Sequence, residues 1–279
     1  MAPSHLQSST ASPDLSGRVA IVTGGAYGIG RATAILLARH GARVFAGDLR
    51  PREENAASFA EWGISERACD VRVESDVAAL VTAAVEAEGR LDILVNNAGI
   101  ALVKPITEVS EAEWNACLDT NLKGAFFFCK HAVGPMRDSG GGAITNVASN
   151  AGLLPRAHDP VYSISKAALV SLTKSLALCH APDRIRVNAV CPGPVGETGM
   201  MNADLAGAAD PEALRQKLIA ASPLARAYGR MIAPAEVAAA ILYLSSDAAA
   251  MVTGTAIAID GGKSLGVPPN NVGQVSNLP

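Results

Sequence analysis

Tyr162 and Lys166 stand four residues apart in Tyr162-Ser163-Ile164-Ser165-Lys166, a spacing that puts both on one face of a helix. A free phenol has a pKa of about 10, too high for an effective base near neutral pH. A neighbouring ammonium favours phenolate and lowers that value. The pair therefore makes a general acid/base that can exchange a proton with a substrate oxygen. Ser149 lies 13 residues before Tyr162, at the end of an apolar run. A hydroxyl there can donate to a carbonyl oxygen as negative charge develops on it. Taken singly, each feature also has a structural reading: a helix surface pair, or an ordinary loop serine.

A second constellation could hold a nucleotide. Thr23-Gly24-Gly25-Ala26-Tyr27-Gly28-Ile29-Gly30 follows a β-branched run and opens a helical pattern. Gly24 can take a tight turn, Gly28 lets backbone approach a pyrophosphate, and Gly30 lets helix and strand pack closely. The helix N-terminus then offers free N–H groups to phosphate. The spacing is G-x-x-x-G-x-G rather than the usual dinucleotide G-x-G-x-x-G, and a glycine-rich turn without a ligand is the alternative. Asp48 comes 18 residues after Gly30 and closes the next strand-like run. A carboxylate there accepts hydrogen bonds from ribose hydroxyls and repels the 2′-phosphate of NADP. Tyr27 and Leu49 are not basic, although Arg50 and Arg52 follow closely. The expected cofactor is NAD.

These groups need strand ends and helix starts to hold them. Short apolar runs predict strands over 18–23, 43–48, 91–96, 143–148, 184–191 and 256–260, with 69–71 ending a short third strand. Helical patterns cover 29–40, 75–88, 111–137 (as one long helix), 160–181 and 235–246. Strands alternating with helices predict an α/β fold, a Rossmann-type doubly wound parallel sheet with helices on both faces. Runs such as VAIV and DILV are nearly all apolar, as strands covered on both sides should be. The division is one domain over 15–266, with a flexible arm over 1–14 and a flexible tail over 267–279.

Composition narrows the function classes. Hydrophobic residues make up 49% and charged residues 18%, enough for a sizeable core and against a mainly disordered chain. A formal net charge of -3 gives no electrostatic reason to expect nucleic acid as a partner. Charges and glycines interrupt every long apolar stretch, so no membrane span is expected. The first residues, MAPSHLQSSTASPDLSG, lack an apolar signal region. Five scattered cysteines without a C-x-x-C pair read as buried thiols in a reducing, cytoplasmic setting rather than as a disulfide framework or zinc site. No metal-ligand cluster is visible, and no metal is expected.

TGGAYGIG, Asp48, Asp70-Val71, Asn96-Asn97-Ala98-Gly99, Asn121, Ser149, YSISK and Pro192-Gly193 occur in one order at compatible distances. With them the chain resembles a short-chain dehydrogenase/reductase of the subfamily near 250 residues, over about residues 15–266. The resemblance implies that Tyr162 exchanges a proton with the substrate. It implies that Lys166 lowers the Tyr162 pKa and holds the nicotinamide ribose, that Ser149 polarises the substrate oxygen, and that Asn121 holds a water linking Lys166 to solvent. Cofactor contacts are implied at Gly24, Tyr27, Gly28, Ile29 and Asp48, and beside adenine at Asp70 and Val71. Asn97, Ala98 and Gly99 would shape the cofactor floor; Pro192, Gly193, Val195 and Thr198 would line the nicotinamide edge. A homotetramer or homodimer is implied as well. One departure stands out: the family often reads P-G-x-V-x-T, whereas Pro192-Gly193-Pro194-Val195-Gly196-Glu197-Thr198 brings the threonine one residue later.

The expected activity is hydride transfer between a secondary alcohol or ketone and NAD(H). Two other readings stay open: an NADPH-dependent 3-oxoacyl-thioester reductase, and a nucleotide-sensing protein without turnover. The pocket should be lined by 150–161 and 196–231, with Met200, Met201, Leu205, Leu218 and Leu224 as an adaptable apolar lid. Arg156, His158 and Asp159 read as exposed loop charges.

Overall fold

The apolar runs form seven parallel strands in the computed structural model, which describes residues 13–154 and 156–266. They are β1 (Val19–Thr23), β2 (Arg43–Asp48), β3 (Ser65–Ala68), β4 (Ile93–Asn96), β5 (Gly142–Val147), β6 (Ile185–Pro192) and β7 (Ala256–Ile259), in the spatial order β3-β2-β1-β4-β5-β6-β7. The order reverses between β1 and β4, which pair through Ala20↔Ile93 to Val22↔Val95. At that switch point the C-terminal strand ends open a crevice, the usual binding site of such sheets. The expected tail, and the expected arm apart from Pro13 and Asp14, lie outside the described residues.

Among the described residues ten α-helices connect and flank the strands: α1 (Gly28–Arg39), α2 (Ala56–Glu61), α3 (Glu74–Glu88), α4 (Glu111–Leu118), α5 (Gly124–Asp138), α6 (Pro160–His180), α7 (Gly199–Gly207), α8 (Pro211–Ala220), α9 (Pro223–Tyr228) and α10 (Pro234–Ser245). Side chains of one strand alternate between faces. Ala20 and Val22 of β1 therefore pack with Ala34 and Leu37 of α1 and Val237 and Ile241 of α10. Val19 and Ile21 join the opposite core, with Leu80 of α3 and Phe128 and Met136 of α5. Burial on both faces explains why β1 reads as an unbroken apolar run.

Two expectations are corrected. The third strand is Ser65–Ala68 rather than a segment ending at 69–71. It is a polar, partly exposed edge strand, so it carries no apolar run; Cys69 N donates to the Asp48 carbonyl just beyond it. The helix over 111–137 is not continuous, because a π turn at Asp119–Lys123 separates α4 from α5. Asn121 sits in that turn and is tied to the loop after β4: its Oδ1 accepts from Ile100 N at 2.8 Å and its Nδ2 donates to the Ile100 carbonyl at 3.0 Å. The region over 196–231 folds as three short helices, α7 to α9. Two of them open on proline, whose fixed φ suits the first helical position.

Candidate active site

The glycine-rich turn is built on close backbone approach. Gly24 has φ +60°, and a Cβ there would lie 2.9 Å from Asn97 Nδ2. A Cβ on Gly30 would run into the Gly24 carbonyl. Asn97 fastens the turn from below, donating through Nδ2 to the carbonyls of Thr23 (2.9 Å) and Gly24 (3.0 Å). Thr23 Oγ1 in turn accepts from the backbone N–H groups of Asn97 and Ala98, each at 3.0 Å. No side chain caps α1 at Tyr27, so its first N–H groups face the cleft without an internal acceptor. This cradle suits a pyrophosphate.

Asp48 stands at the end of β2 beside the turn, where its Oδ2 accepts from Ala26 N at 3.1 Å. Arg52 also lines the cleft. Its guanidinium stacks on the Tyr27 ring at 4.5 Å and pairs with Glu54 at 2.8 Å. Asp70 and Val71 line the same end. Arg72 grips both Asp70 oxygens, and its hydrogen bonds hold that carboxyl below its ordinary range. The donor set and the glycine cradle fit a nicotinamide dinucleotide.

The other end of the cleft gathers the candidate reactive groups. Ser149 follows β5 in extended backbone, and its Oγ accepts from Ala151 N at 3.1 Å. Pro160 starts α6, whose next turns carry Tyr162 and Lys166, both buried. Lys166 Nζ donates to the Val147 carbonyl at 2.9 Å and lies 5.9 Å from the centre of the Tyr162 ring. Burial pushes the Lys166 ammonium down to about 8. Burial pushes the Tyr162 phenol up, while hydrogen bonding to Ser149 and the charge of Arg156 pull it back. The phenol is thus not lowered overall, contrary to the expectation from spacing. The Lys166 ammonium is itself desolvated and turned to a carbonyl, and the cation pulling the phenol down is Arg156.

A single cleft of about 880 Å³ brings these two ends together. Gly24, Tyr27, Gly28, Ile29 and Asp48 line it, as do Asn97, Ala98 and Gly99. So do Ser149, Tyr162 and Lys166, and, past β6, Pro192, Gly193, Val195 and Thr198. Asn121 lies behind the wall, with its amide protons spent on the Ile100 carbonyl and on Ser165 Oγ at 3.0 Å. A Cβ on Gly99 would sit 3.2 Å from Asn121 Oδ1 and 3.3 Å from Lys166 Nζ, so the glycine keeps the gap between them open. Thr198 reaches the cleft despite its late position because Glu197 absorbs the extra residue in a left-handed turn, φ 55°. Thr198 then packs against Gly28 and accepts from Met201 N at 3.2 Å as the cap of α7. Among the described residues no cluster of three metal-ligating side chains occurs, and no helix is long and apolar enough to cross a membrane.

Of the expected lid residues, Met200, Met201 and Leu218 line the cleft. Leu205 instead packs with Ile219 and Met231 beneath it, and Leu224 is exposed on α9. The loop charges before α6 differ from expectation. Asp159 is 2% exposed and pairs with Arg156 at 3.0 Å; both line the cleft, as does the exposed His158. Lys263 after β7 is a further cleft residue that sequence spacing did not bring forward.

The family model described as enoyl-(acyl carrier protein) reductase matches residues 24–264. A cis-4-hydroxycyclohexanecarboxylate dehydrogenase of Sinomonas cyclohexanicum is 42% identical over 250 residues, 88% of this chain and 96% of that protein. The 3-oxoacyl-[acyl-carrier-protein] reductase FabG of Thermotoga maritima is 37% identical over 254 residues, 89% of this chain and 98% of that one. A Burkholderia xenovorans crystal structure, described as a short-chain dehydrogenase/reductase, superposes with a TM-score of 0.86 at 35% identity, covering 92% of this chain and all of that one.

Proposed function

The chain belongs to the short-chain dehydrogenase/reductase family of oxidoreductases, and on that basis we propose that it interconverts a secondary alcohol and a ketone with NAD(H). The reading rests on one convergence. The glycine cradle with Asp48 and the buried Ser149, Tyr162 and Lys166 line one cleft at the sheet's switch point. When bound, the cofactor accepts or supplies the hydride.

The chain's own groups handle the proton and the substrate. Tyr162 Oη takes the hydroxyl proton of an alcohol, or gives a proton to the oxygen of a ketone. Ser149 Oγ donates to that oxygen and orients it. Lys166 binds a ribose hydroxyl and supplies positive charge, and Asn121, across the gap kept by Gly99, holds a water that links Lys166 to solvent. Gly24, Tyr27, Gly28 and Ile29 would hold the pyrophosphate, and Asp48 the adenosine ribose. Asp48 supports NAD, since a 2′-phosphate would meet its carboxylate. The similarity to a 3-oxoacyl reductase and the presence of Arg52 in the cleft favour a second reading with NADPH. The substrate is a small molecule, and the working form a homodimer or homotetramer.

The test is oxidation of a panel of secondary alcohols, cyclic alcohols, sugars and hydroxy acids among them, with NAD+ and NADP+ in parallel. Turnover with NAD+, lost by at least about 100-fold in Tyr162→Phe while NADH still binds, supports the proposal. Turnover with NADP+ alone moves the reductase reading to first place. Binding without any turnover favours a nucleotide sensor.

A further inference from the structure

The end of the cleft beyond Tyr162 holds more unspent positive charge than the proton chemistry needs. Arg156 is anchored on two sides. Its Nη2 pairs with Asp159 Oδ2 at 3.0 Å, and its guanidinium carbon lies 5.4 Å from the centre of the Tyr162 ring. Its Nε is buried and finds no acceptor. Lys263 is half-buried on the turn after β7, and its Nζ forms no ion pair or hydrogen bond among the described residues. Arg156 and Lys263 feel each other: burial, and after it the charge of Arg156, push the Lys263 ammonium down.

The acids nearby are already engaged. Asp159 Oδ1 accepts from Ser163 Oγ at 3.3 Å, and its Oδ2 meets Arg156. Both Asp260 oxygens accept backbone N–H groups, from Gly262 at 2.9 Å and Ser264 at 2.7 Å. Asp204 on α7 also lines the cleft; it is largely exposed, burial pushes its carboxyl up and the charge of Arg156 pulls it back. His158 and Lys217 are exposed to water. The partly buried donors therefore outnumber the partly buried acceptors still free. Asp159 offsets part of both charges, pairing with Arg156 and attracting Lys263, as Asp260 also does. The Lys263 ammonium and the Arg156 Nε still lack a hydrogen-bond acceptor of their own, and on one cleft they make a site for an oxyanion.

We propose that the substrate is a compact hydroxy or oxo acid whose carboxylate sits between Arg156 and Lys263 while its carbinol or carbonyl oxygen meets Tyr162 and Ser149. This rests on the oxidoreductase reading above and adds a substrate class to it. Arg156 is fixed before the ligand arrives, so little side-chain freedom is lost on binding. Because Arg156 also stacks against Tyr162, the carboxylate is held a few bonds from the reacting carbon. A neutral alcohol of the same shape would leave the Lys263 ammonium and the Arg156 Nε without an acceptor.

The test is calorimetric titration of the NADH-loaded enzyme with unreactive matched pairs: acetate and acetamide, butyrate and butyramide, cyclohexanecarboxylate and cyclohexanecarboxamide. In at least one pair the acid should bind roughly tenfold or more tightly than the amide, the effect of a charge-assisted hydrogen bond. Lys263→Met and Arg156→Gln should each erase that preference and leave NADH affinity unchanged. Lys263→Met guards against misfolding of the Arg156 loop. No preference for the acid in any pair, or a preference that survives both substitutions, overturns the proposal. Turnover of secondary alcohols is measured separately: an enzyme that oxidises only neutral alcohols keeps the activity and loses the carboxylate site.

Discussion

Lys166 Nζ lies 5.9 Å from the centre of the Tyr162 ring, and both side chains are buried. Burial disfavours the charged form of each, so it drives the two titrations apart. The lysine comes down to about 8 and the phenol goes up. The charge that opposes the rise at Tyr162 belongs to Arg156.

In the proposed reaction Tyr162 accepts a proton during alcohol oxidation, so kcat/KM for that direction should rise with pH as the phenol ionises. Arg156→Gln removes a cation that favours phenolate. Its ascending limb should shift to higher pH than that of the wild type, read from kcat/KM profiles at saturating NAD+. An unmoved limb would separate Arg156 from the Tyr162 titration.

Lys166 makes a stability prediction with a definite sign. The unfolded side chain titrates near 10.5 and the folded one near 8. Between these values the unfolded chain binds the extra proton, so the folded state gains stability as pH rises through the window. Below about pH 8 the full cost of burying the ammonium is present. The melting temperature of the cofactor-free protein, relative to Lys166→Met, should therefore be flat below pH 8 and climb from about 8 to 10.5. Parallel melting curves across that range would show that Lys166 keeps its proton.

Gly30 and Gly99 should fail in different ways when a methyl group is added. Gly30→Ala drives a Cβ into the Gly24 carbonyl and should cost about 1–3 kcal/mol of stability and weaken NADH binding. Gly99→Ala fills the gap between Asn121 Oδ1 and Lys166 Nζ, at a position outside the left-handed region. It should lower kcat by more than about tenfold, the effect of a perturbed proton path, with a smaller loss of melting temperature. Equal effects of the two changes on kcat and melting would remove the distinction.

Asp48→Ser takes the carboxylate from the end of β2 while Arg52 remains in the cleft. The ratio of kcat/KM for NADP+ over NAD+ should rise by roughly tenfold or more, since a repulsion is lost along with a charged hydrogen-bond acceptor. An unchanged ratio would assign cofactor choice to other groups.

Glu197 holds a left-handed backbone at φ 55°, where a branched Cβ is strained. Glu197→Gly should leave stability equal or raise it by up to about 1 kcal/mol, and Glu197→Ile should lower it by about 1–2 kcal/mol, both read by denaturant unfolding. The reverse order would mean that the Glu197 side chain, not its backbone, holds this turn.

Much of the fold could be read from residue order because strands covered on both faces leave unbroken apolar runs. Val19–Thr23 and Ile93–Asn96 are such strands, and they fall where the runs predict. Ser65–Ala68 could not be read in this way, since a polar edge strand gains its place by hydrogen bonding to β2 rather than by burial. The π turn at Asn121 was equally silent. It accompanies a side chain bonded to Ile100, 21 residues earlier in the chain, and helical periodicity carries no trace of such a contact. The helices α7 to α9 are too short for a period to emerge.

Residue types and spacing were enough to identify the family and to point to candidate reactive groups and a candidate nucleotide turn, because these depend on local geometry: four residues along a helix, a glycine where no Cβ fits, an acid at a strand end. Charge environments were not available from spacing. Arg156 and Asp159 look like surface loop charges in the chain, yet folding buries Asp159 and sets the guanidinium beside Tyr162. Lys263 arrives at the same cleft from the far end of the sheet, about a hundred residues later. Whether such a charge is solvated or unpaired depends on which distant segments exclude water from it. That is a property of packing, and only the assembled sheet and its loops supply it.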